Sequence, residues 1–333
     1  MVNRLLYLGY YLRNLNTKVF KKFLNFAKEA SGRGKSALIW EMLQDSLTYK
    51  ISLLEYFQFE FYQLRSRTEK DKWAGTGFMY EYQKQMNPPQ FRDILDSKVK
   101  FHKAYHRYFR HQVFSRADLQ ADSSRFDLLA KYPQLVLKEA HGKCGLGTNF
   151  FLTKDLTVPS LLAKMQQEGF DIAESWIEQH PEMNRLSPSG VNTVRIITQL
   201  NHKDAVDVLA CRQRISVNSS IDNLASGNLA AAIDASTGLI EGPAVYSDIT
   251  KPEETYHPVT KTEIVGFQIP YWQECLEMAK AAALEHPQNR SVGWDIAVTD
   301  EGPTLIEGNH DWCKLVWQLP VKQGMKATLL SYL

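Results

Sequence analysis

Cysteine is sparse in this sequence: Cys144, Cys211, Cys275 and Cys313 stand far apart and form no CxxC pair. That spacing excludes a zinc ribbon or finger and a disulfide-stapled scaffold, and it fits free thiols in a reducing compartment. Long apolar runs are missing too, so no stretch approaches the roughly 20 residues a membrane-spanning helix needs. The N-terminus lacks the uncharged apolar core and small-residue cleavage site of a signal peptide. Charge of one sign is not in excess, because 39 Lys+Arg against 37 Asp+Glu leave a formal net charge of +2. Nothing in that balance steers the protein towards nucleic acid. Neither GxxxxGK(S/T) nor GxGxxG occurs, so the P-loop and dinucleotide-binding folds are unsupported. No Ser–His–Asp or Cys–His arrangement stands out. These absences predict a cytoplasmic protein with no nucleic-acid partner and no side-chain nucleophile.

What is present is ordinary for a globular chain: 333 residues, 44% hydrophobic and 23% charged, enough for about two domains. Residues 1–35 are basic, with Arg13, Lys18, Lys21, Lys22 and Lys28 among apolar residues at helical spacing. Such a helix either lies on anionic lipid, docks on a partner, or packs its apolar stripe on the body of the protein. Residues 36–95 read as helical and aromatic-rich, a pattern of core rather than chemistry, and Asn87-Pro88-Pro89 marks a boundary.

A helix is expected from Ser97 to about Val113, capped by Asp96 or Ser97, with Lys98 and Lys100 in its first turn. Positive charge there opposes the helix dipole, so these lysines either serve a bound anion or are simply solvated. Next, the apolar strand Leu135–Lys138 runs into a loop with Gly142, Gly145 and Gly147. Closely spaced glycines let backbone N–H groups approach an anion, although ordinary turns use them as well. A lysine in a buried strand calls for a counter-charge. A helix from Val158 to about Gln167 and a short strand ending at Glu174 follow; His180 before Pro181 is either structural or a ligand.

Asn192–Leu200 and Ala205–Ser216 read as paired strands around a four-residue turn. Thr193 is then expected opposite Arg212, and Arg195 opposite Ala210. Arg195, Arg212 and Arg214 share one face, which demands carboxylates or a phosphate in return. Another strand is expected over Leu229–Ile233 and a helix over about Tyr271–Glu285. Finally, Asp295–Thr299 and Thr304–Glu307 flank the turn Asp300-Glu301-Gly302. A three-residue loop places Asp295 opposite Glu307, roughly 5 Å apart at Cβ, where like charges destabilise a sheet. Ala297 and Leu305 are expected on that same face. A shared divalent cation resolves the conflict, with Asn309 adding a third oxygen; oxygen-only ligands suit Mg²⁺ or Mn²⁺. The alternative is a surface hairpin with solvated carboxylates.

In order along the chain, Lys98 or Lys100, Lys138, Gly142–Gly147, Glu174, Arg195, Asp295, Glu307 and Asn309 resemble the ATP-grasp superfamily. More narrowly, Gln179-His180-Pro181, Asn192-Thr193-Val194-Arg195, Ile221-Asp222-Asn223, Gly293-Trp294-Asp295 and Leu305–Asn309 resemble its sugar-transfer-associated branch. The resemblance implies an α+β fold of two lobes clasping ATP, with a helical N-terminal extension. It divides the chain into a helical region (1–95), a lobe with the first lysine and glycine loop (96–185) and a C-terminal lobe with the metal hairpin (186–333). It implies that Lys98, Lys138, Gly142, Gly145, Gly147 and Glu174 bind ATP, and that Asp295, Glu307 and Asn309 hold Mg²⁺. Arg195 and Arg212 would stabilise the transferring phosphoryl group. The implied activity is an ADP-forming carboxylate–amine ligase working through an acyl phosphate, on small-molecule substrates that include sugar-linked acids. A kinase for a hydroxyl, or a membrane-peripheral nucleotide-binding partner of membrane-associated glycosyltransferases docked through residues 1–35, are the alternatives.

Overall fold

The computed structural model describes residues 2–142 and 147–333, and the side chains of residues 8 onward within them. Gly145 of the expected glycine loop, and Cys144, lie outside the described residues. The chain opens with helices α1 (Val2–Arg13), α2 (Thr17–Ser31), α3 (Lys35–Tyr49), α4 (Leu53–Gln58), α5 (Arg67–Asp71), α6 (Thr76–Met86), α7 (Asp93–Asp96) and α8 (Lys98–Tyr105). Helix α2 starts where the Asn16 side chain accepts from the Lys18 and Val19 amides, and stops where Gly32 turns left-handed at φ 68°. Its apolar stripe, Phe23, Leu24 and Ala27, is buried against Leu38, Met42, Tyr56 and Phe57. Of the three readings of the basic N-terminus, packing on the body is what occupies that stripe. No helix among the described residues is long and apolar enough to cross a membrane.

A buried carboxylate ties these helices to the rest. Glu55 is only 2% exposed, and accepts from the Ser52 and Thr76 amides (2.7 and 3.0 Å), the Thr76 hydroxyl (2.6 Å) and Lys314 Nζ (2.9 Å). Ser97 is the cap of α8, but the helix ends at Tyr105 rather than near Val113. Val113 pairs with Glu174 in a sheet, and that tertiary pairing overrides the helical spacing.

The first sheet contains β1 (Val113–Ser115), then after α9 (Arg116–Ala121) and α10 (Arg125–Leu129) come β2 (Gln134–Lys138) and β3 (Thr148–Leu152), and after α11 (Val158–Glu168) comes β4 (Ile172–Ser175). The order is β1-β4-β2-β3, antiparallel throughout. Leu135, Leu137 and Ala173 pack with Leu161 and Met165 of α11. Strand alternation therefore sends Val136, Lys138 and Glu174 to the opposite face.

The second sheet follows α12 (Pro181–Leu186). It is built from β5 (Thr193–Leu200), β6 (Val206–Ile215) and β7 (Leu229–Ile233), then α13 (Trp272–Glu285), then β8 (Ser291–Thr299) and β9 (Gly302–Asn309). Helices α14 (Lys314–Gln318) and α15 (Lys326–Leu330) end the chain. The order is β7-β6-β5-β8-β9, again antiparallel. One face (Val194, Ile196, Ile296, Leu305) packs on α13 together with Phe101 and Tyr105 of α8. The other carries Arg195, Arg214 and Asp295.

Both expected hairpins differ in register from the expectation, and each differs by two compensating steps. Between β5 and β6 the loop is one residue longer, with Leu200 opposite Val206, and a bulge follows between Ile197 and Thr198. Arg195 thus faces Arg212, not Ala210, and the two one-residue shifts return Arg212 and Arg214 to their expected face, while Val206 and Val208, between loop and bulge, change to the core face. Between β8 and β9 the loop is one residue shorter, with Thr299 opposite Gly302, whose φ of 111° suits glycine. A bulge at Ile306 then restores Asp295 opposite Glu307. Leu305 is the casualty: it pairs with Ile296 on the core face instead of sharing the face of Asp295.

Candidate functional site

Residues of both sheets, with α2, α4, α8 and α14, line a cavity of about 680 Å³. Lys98, Lys138, Glu174, Arg195, Glu307 and Asn309 line it. A smaller cavity of about 180 Å³ shares Lys98, Lys138, Glu174 and Glu307 and continues past Trp176 and Asp295.

On the first sheet, Lys138 Nζ donates to Glu174 Oε2 at 2.6 Å, with His111 Nε2 3.7 Å from the same oxygen. Burial pushes the Glu174 carboxyl up, but Lys138 and His111 outweigh it and hold the group down at about 2. The counter-charge that a strand lysine requires is therefore Glu174. Lys98 donates to the Gly142 carbonyl, and both line the two cavities. Lys100 turns away and pairs with Asp93 at the surface. Of the two first-turn lysines, Lys98 is the one at the cavity. Gly147 is left-handed at φ 71°, and its carbonyl accepts from the Glu139 amide at 2.9 Å.

On the second sheet the alternation on β5, β6, β8 and β9 converges on Asp295, which is 1% exposed. Arg195 grips it with both Nε and Nη2, the latter at 2.6 Å from Oδ2. Arg214 Nη1 reaches the same Oδ2 at 2.7 Å, and Arg214 Nη2 reaches Asp222 Oδ1 at 2.7 Å. Asp222 in turn accepts from the Thr193 amide at 2.8 Å. Burial would raise the Asp295 carboxyl, yet the two guanidinium groups hold it far below the usual range. Glu307 moves the other way: burial, then the facing Asp295, raise it. Asn309 Nδ2 donates to Glu307 Oε1 at 3.2 Å.

Arg195, Arg214, Asp222, Asp295 and Glu307 carry one more negative than positive charge when all are ionised. Glu307, the carboxyl furthest from a guanidinium partner, bears that excess. A cation beside Glu307 and Asn309 would remove it, so the donor set fits a hard divalent ion. Asp295 fits less fully, since its Oδ2 already accepts two arginine donors and its Oδ1 one.

Arg212 does not join this group. Although it lies opposite Arg195, its Nε and Nη2 donate to the Trp317 carbonyl at 3.1 and 2.7 Å, and Nη1 to the Cys211 carbonyl at 2.8 Å. Burial lowers its guanidinium to about 10. It anchors the end of α14, and Arg214 stands where Arg212 was expected. The alternation showed both on one face; nothing local told which way along the strand each would lean. Sequence spacing also missed His111 and the pair His310–Asp96, at 3.1 Å, which come from segments remote in the chain. His180 is structural: its Nδ1 accepts from the Glu182 amide at 3.1 Å and starts α12. Gln179 and Asn192 bond each other and pin the start of β5.

Residues 78–331 match the family model described as sugar-transfer associated ATP-grasp. No curated protein matches the chain. Among solved structures, an N5-carboxyaminoimidazole ribonucleotide synthetase bound to ADP is 11% identical, with a TM-score of 0.40, over 65% of this chain and 45% of that one. D-alanyl-alanine synthetase A from Vibrio cholerae O1 biovar eltor is 9% identical, with a TM-score of 0.39, over 69% of this chain and 60% of that one. D-alanine–D-alanine ligase from Helicobacter pylori is 12% identical, with a TM-score of 0.40, over 72% and 57%. The chain thus spans about half the length of these solved proteins.

Proposed function

The chain belongs to the sugar-transfer associated ATP-grasp family, and from that premise we propose that it is an ADP-forming carboxylate–amine ligase using ATP and Mg²⁺. One observation carries the reading: Lys98, Lys138, Glu174, Arg195, Glu307 and Asn309, drawn from helix α8 and the two sheets, line a single cavity. In the reaction proposed, a substrate carboxylate oxygen bonds to the γ-phosphorus and ADP leaves. An amine then displaces phosphate from the acyl phosphate, giving an amide. The family's association with sugar transfer makes a sugar-linked acid one candidate for the carboxylate.

Lys98 and Lys138 supply positive charge to the nucleotide phosphates, and Gly142 and Gly147 keep backbone near them free of side chains. Glu174 aims Lys138. Arg195 and Arg214, fixed by Asp295 before any substrate arrives, stabilise charge developing on the transferred phosphoryl group without reorganising. Glu307 and Asn309 would hold Mg²⁺, with the remaining lone pair of Asp295 Oδ1 completing the protein's share. When bound, the metal supplies neutralisation of phosphate charge. Asp222 acts through Arg214 rather than on substrate.

The test is product analysis with panels of carboxylates and amines. ADP and inorganic phosphate released together, only when acid and amine are both present, support the ligase. ADP released without inorganic phosphate in the presence of an alcohol would replace it with a kinase. Mg·ATP binding with no turnover across both panels would favour a nucleotide-binding partner role.

A further inference from the structure

The N-terminal helices build part of the wall of the large cavity. Lys18, Val19, Lys22 and Phe23 of α2, with Leu54 and Gln58 of α4, line the same space as Glu307 and Lys138. This wall is fixed to the body. Lys22 Nζ pairs with Asp248 Oδ2 at 2.6 Å, and Gln58 Nε2 donates to the Ser247 carbonyl at 3.0 Å. Glu55 of α4 holds Lys314 at 2.9 Å.

Basic and apolar side chains share this part of the lining. Lys18 and Lys22 of α2 and Lys251, whose amide donates to the Asp248 carbonyl at 3.1 Å, form a basic cluster in the lining, and the Asp248 carboxylate offsets one of them. Lys18 and Lys251 are exposed. The same lining carries Val19, Phe23, Leu54, Leu224, Leu315 and Val316. At about 680 Å³ the cavity is within the roughly 300–1,000 Å³ of small-molecule sites.

We propose that α2 and α4 form the subsite for the acid substrate. They would select a molecule whose reacting carboxylate lies near Arg195 and Glu307, whose middle is apolar, and whose far end carries a second anion held by Lys18 and Lys251. This inference rests on the ligase reading above. It gives the basic N-terminal segment a role inside the site.

The experiment is calorimetric titration of the full chain and of the double variant K18E/K251E, first with Mg·ADP and then, with Mg·ADP present, with suberate, a phosphonate-ended acid of similar length, and octanoate. Both doubly anionic acids are expected to bind the wild type about tenfold or more tightly than octanoate; the tighter of the two names the distal anion. The double variant should lose that advantage while binding Mg·ADP unchanged. Equal binding of octanoate and both dianions by the wild type, or an advantage that survives in the double variant, would overturn the subsite. Failure of Mg·ADP to bind the wild type would instead overturn the nucleotide reading.

Discussion

Arg195 and Asp295 face each other across β5 and β8, and the arginine closes a two-pronged grip on the carboxylate from 100 residues away in the chain. Both are buried, so the grip fixes where the Arg195 guanidinium stands before any ligand binds. Its strength comes from the pairing of fork and carboxylate in a site from which water is largely excluded.

Removing one partner of a buried network strands the other. Arg214→Met leaves Asp222 with only its threonine donors and Asp295 with one guanidinium, and should cost about 3–5 kcal/mol in denaturant unfolding, with loss of Mg·ADP binding. Arg212→Met also destabilises, because the Trp317 carbonyl loses its donors, but should keep Mg·ADP affinity within about twofold in the surviving fold. Equal loss of affinity in the two variants would show that Arg212 belongs to the site.

Glu307→Gln removes the repulsion from Asp295 without changing shape. Without metal, its melting temperature should equal or exceed that of the wild type. Added Mg²⁺ with ADP should raise the melting temperature of the wild type, but of the variant far less, since ligand stabilisation follows affinity for the folded state. ATP turnover should be abolished.

Glu174 makes stability acid-sensitive. Its carboxyl sits at about 2 in the fold against an ordinary 4.5. Above 4.5 it is ionised in both states and its full contribution is present. As pH falls from 4.5 towards 2 the unfolded chain takes up the proton first, and about 3 kcal/mol is lost. Glu174→Gln should be less stable at neutral pH, with Lys138 left unpaired, and should show a shallower loss over that window in pH-dependent unfolding.

Gly293→Ala tests the close packing behind the grip. A Cβ there would stand 2.7 Å from Trp312 Cβ and 3.1 Å from Arg195 Cδ. The backbone-proximal tryptophan atom cannot swing away, so the variant should lose about 1–3 kcal/mol and weaken nucleotide binding as Arg195 is displaced. Unchanged melting and Mg·ADP affinity would show that the strands separate freely.

Phe23→Ala probes whether α2 is part of the body. Phe23 is 2% exposed and meets Phe57 edge-on, with ring centroids 6.3 Å apart. A loss of about 3–5 kcal/mol is expected in chemical unfolding. A change below about 1 kcal/mol would return α2 to the role of a detachable docking helix.

The sequence by itself determined which residues share a face. Alternation along Asn192–Leu200 and Ala205–Ser216 placed three arginines together, and the hairpin set Asp295 opposite Glu307. It also showed that a strand lysine, Lys138, needed a counter-charge. Those conclusions survived because side-chain period is a local property of the backbone, and because each misjudged loop was offset by a one-residue bulge. Only the tertiary structure decided the rest. Ile306 had to bulge for Glu307 to reach its face, and Leu305 moved to the core. Arg212 and Arg214, alike in period and chemistry, were separated by what stands beside each: the Trp317 carbonyl by Arg212, and Asp295 and Asp222 by Arg214. The stripe on α2 gave no sign of what would cover it. Position along a face, and the surface brought against it, depend on contacts between segments remote in the chain, which no local period encodes.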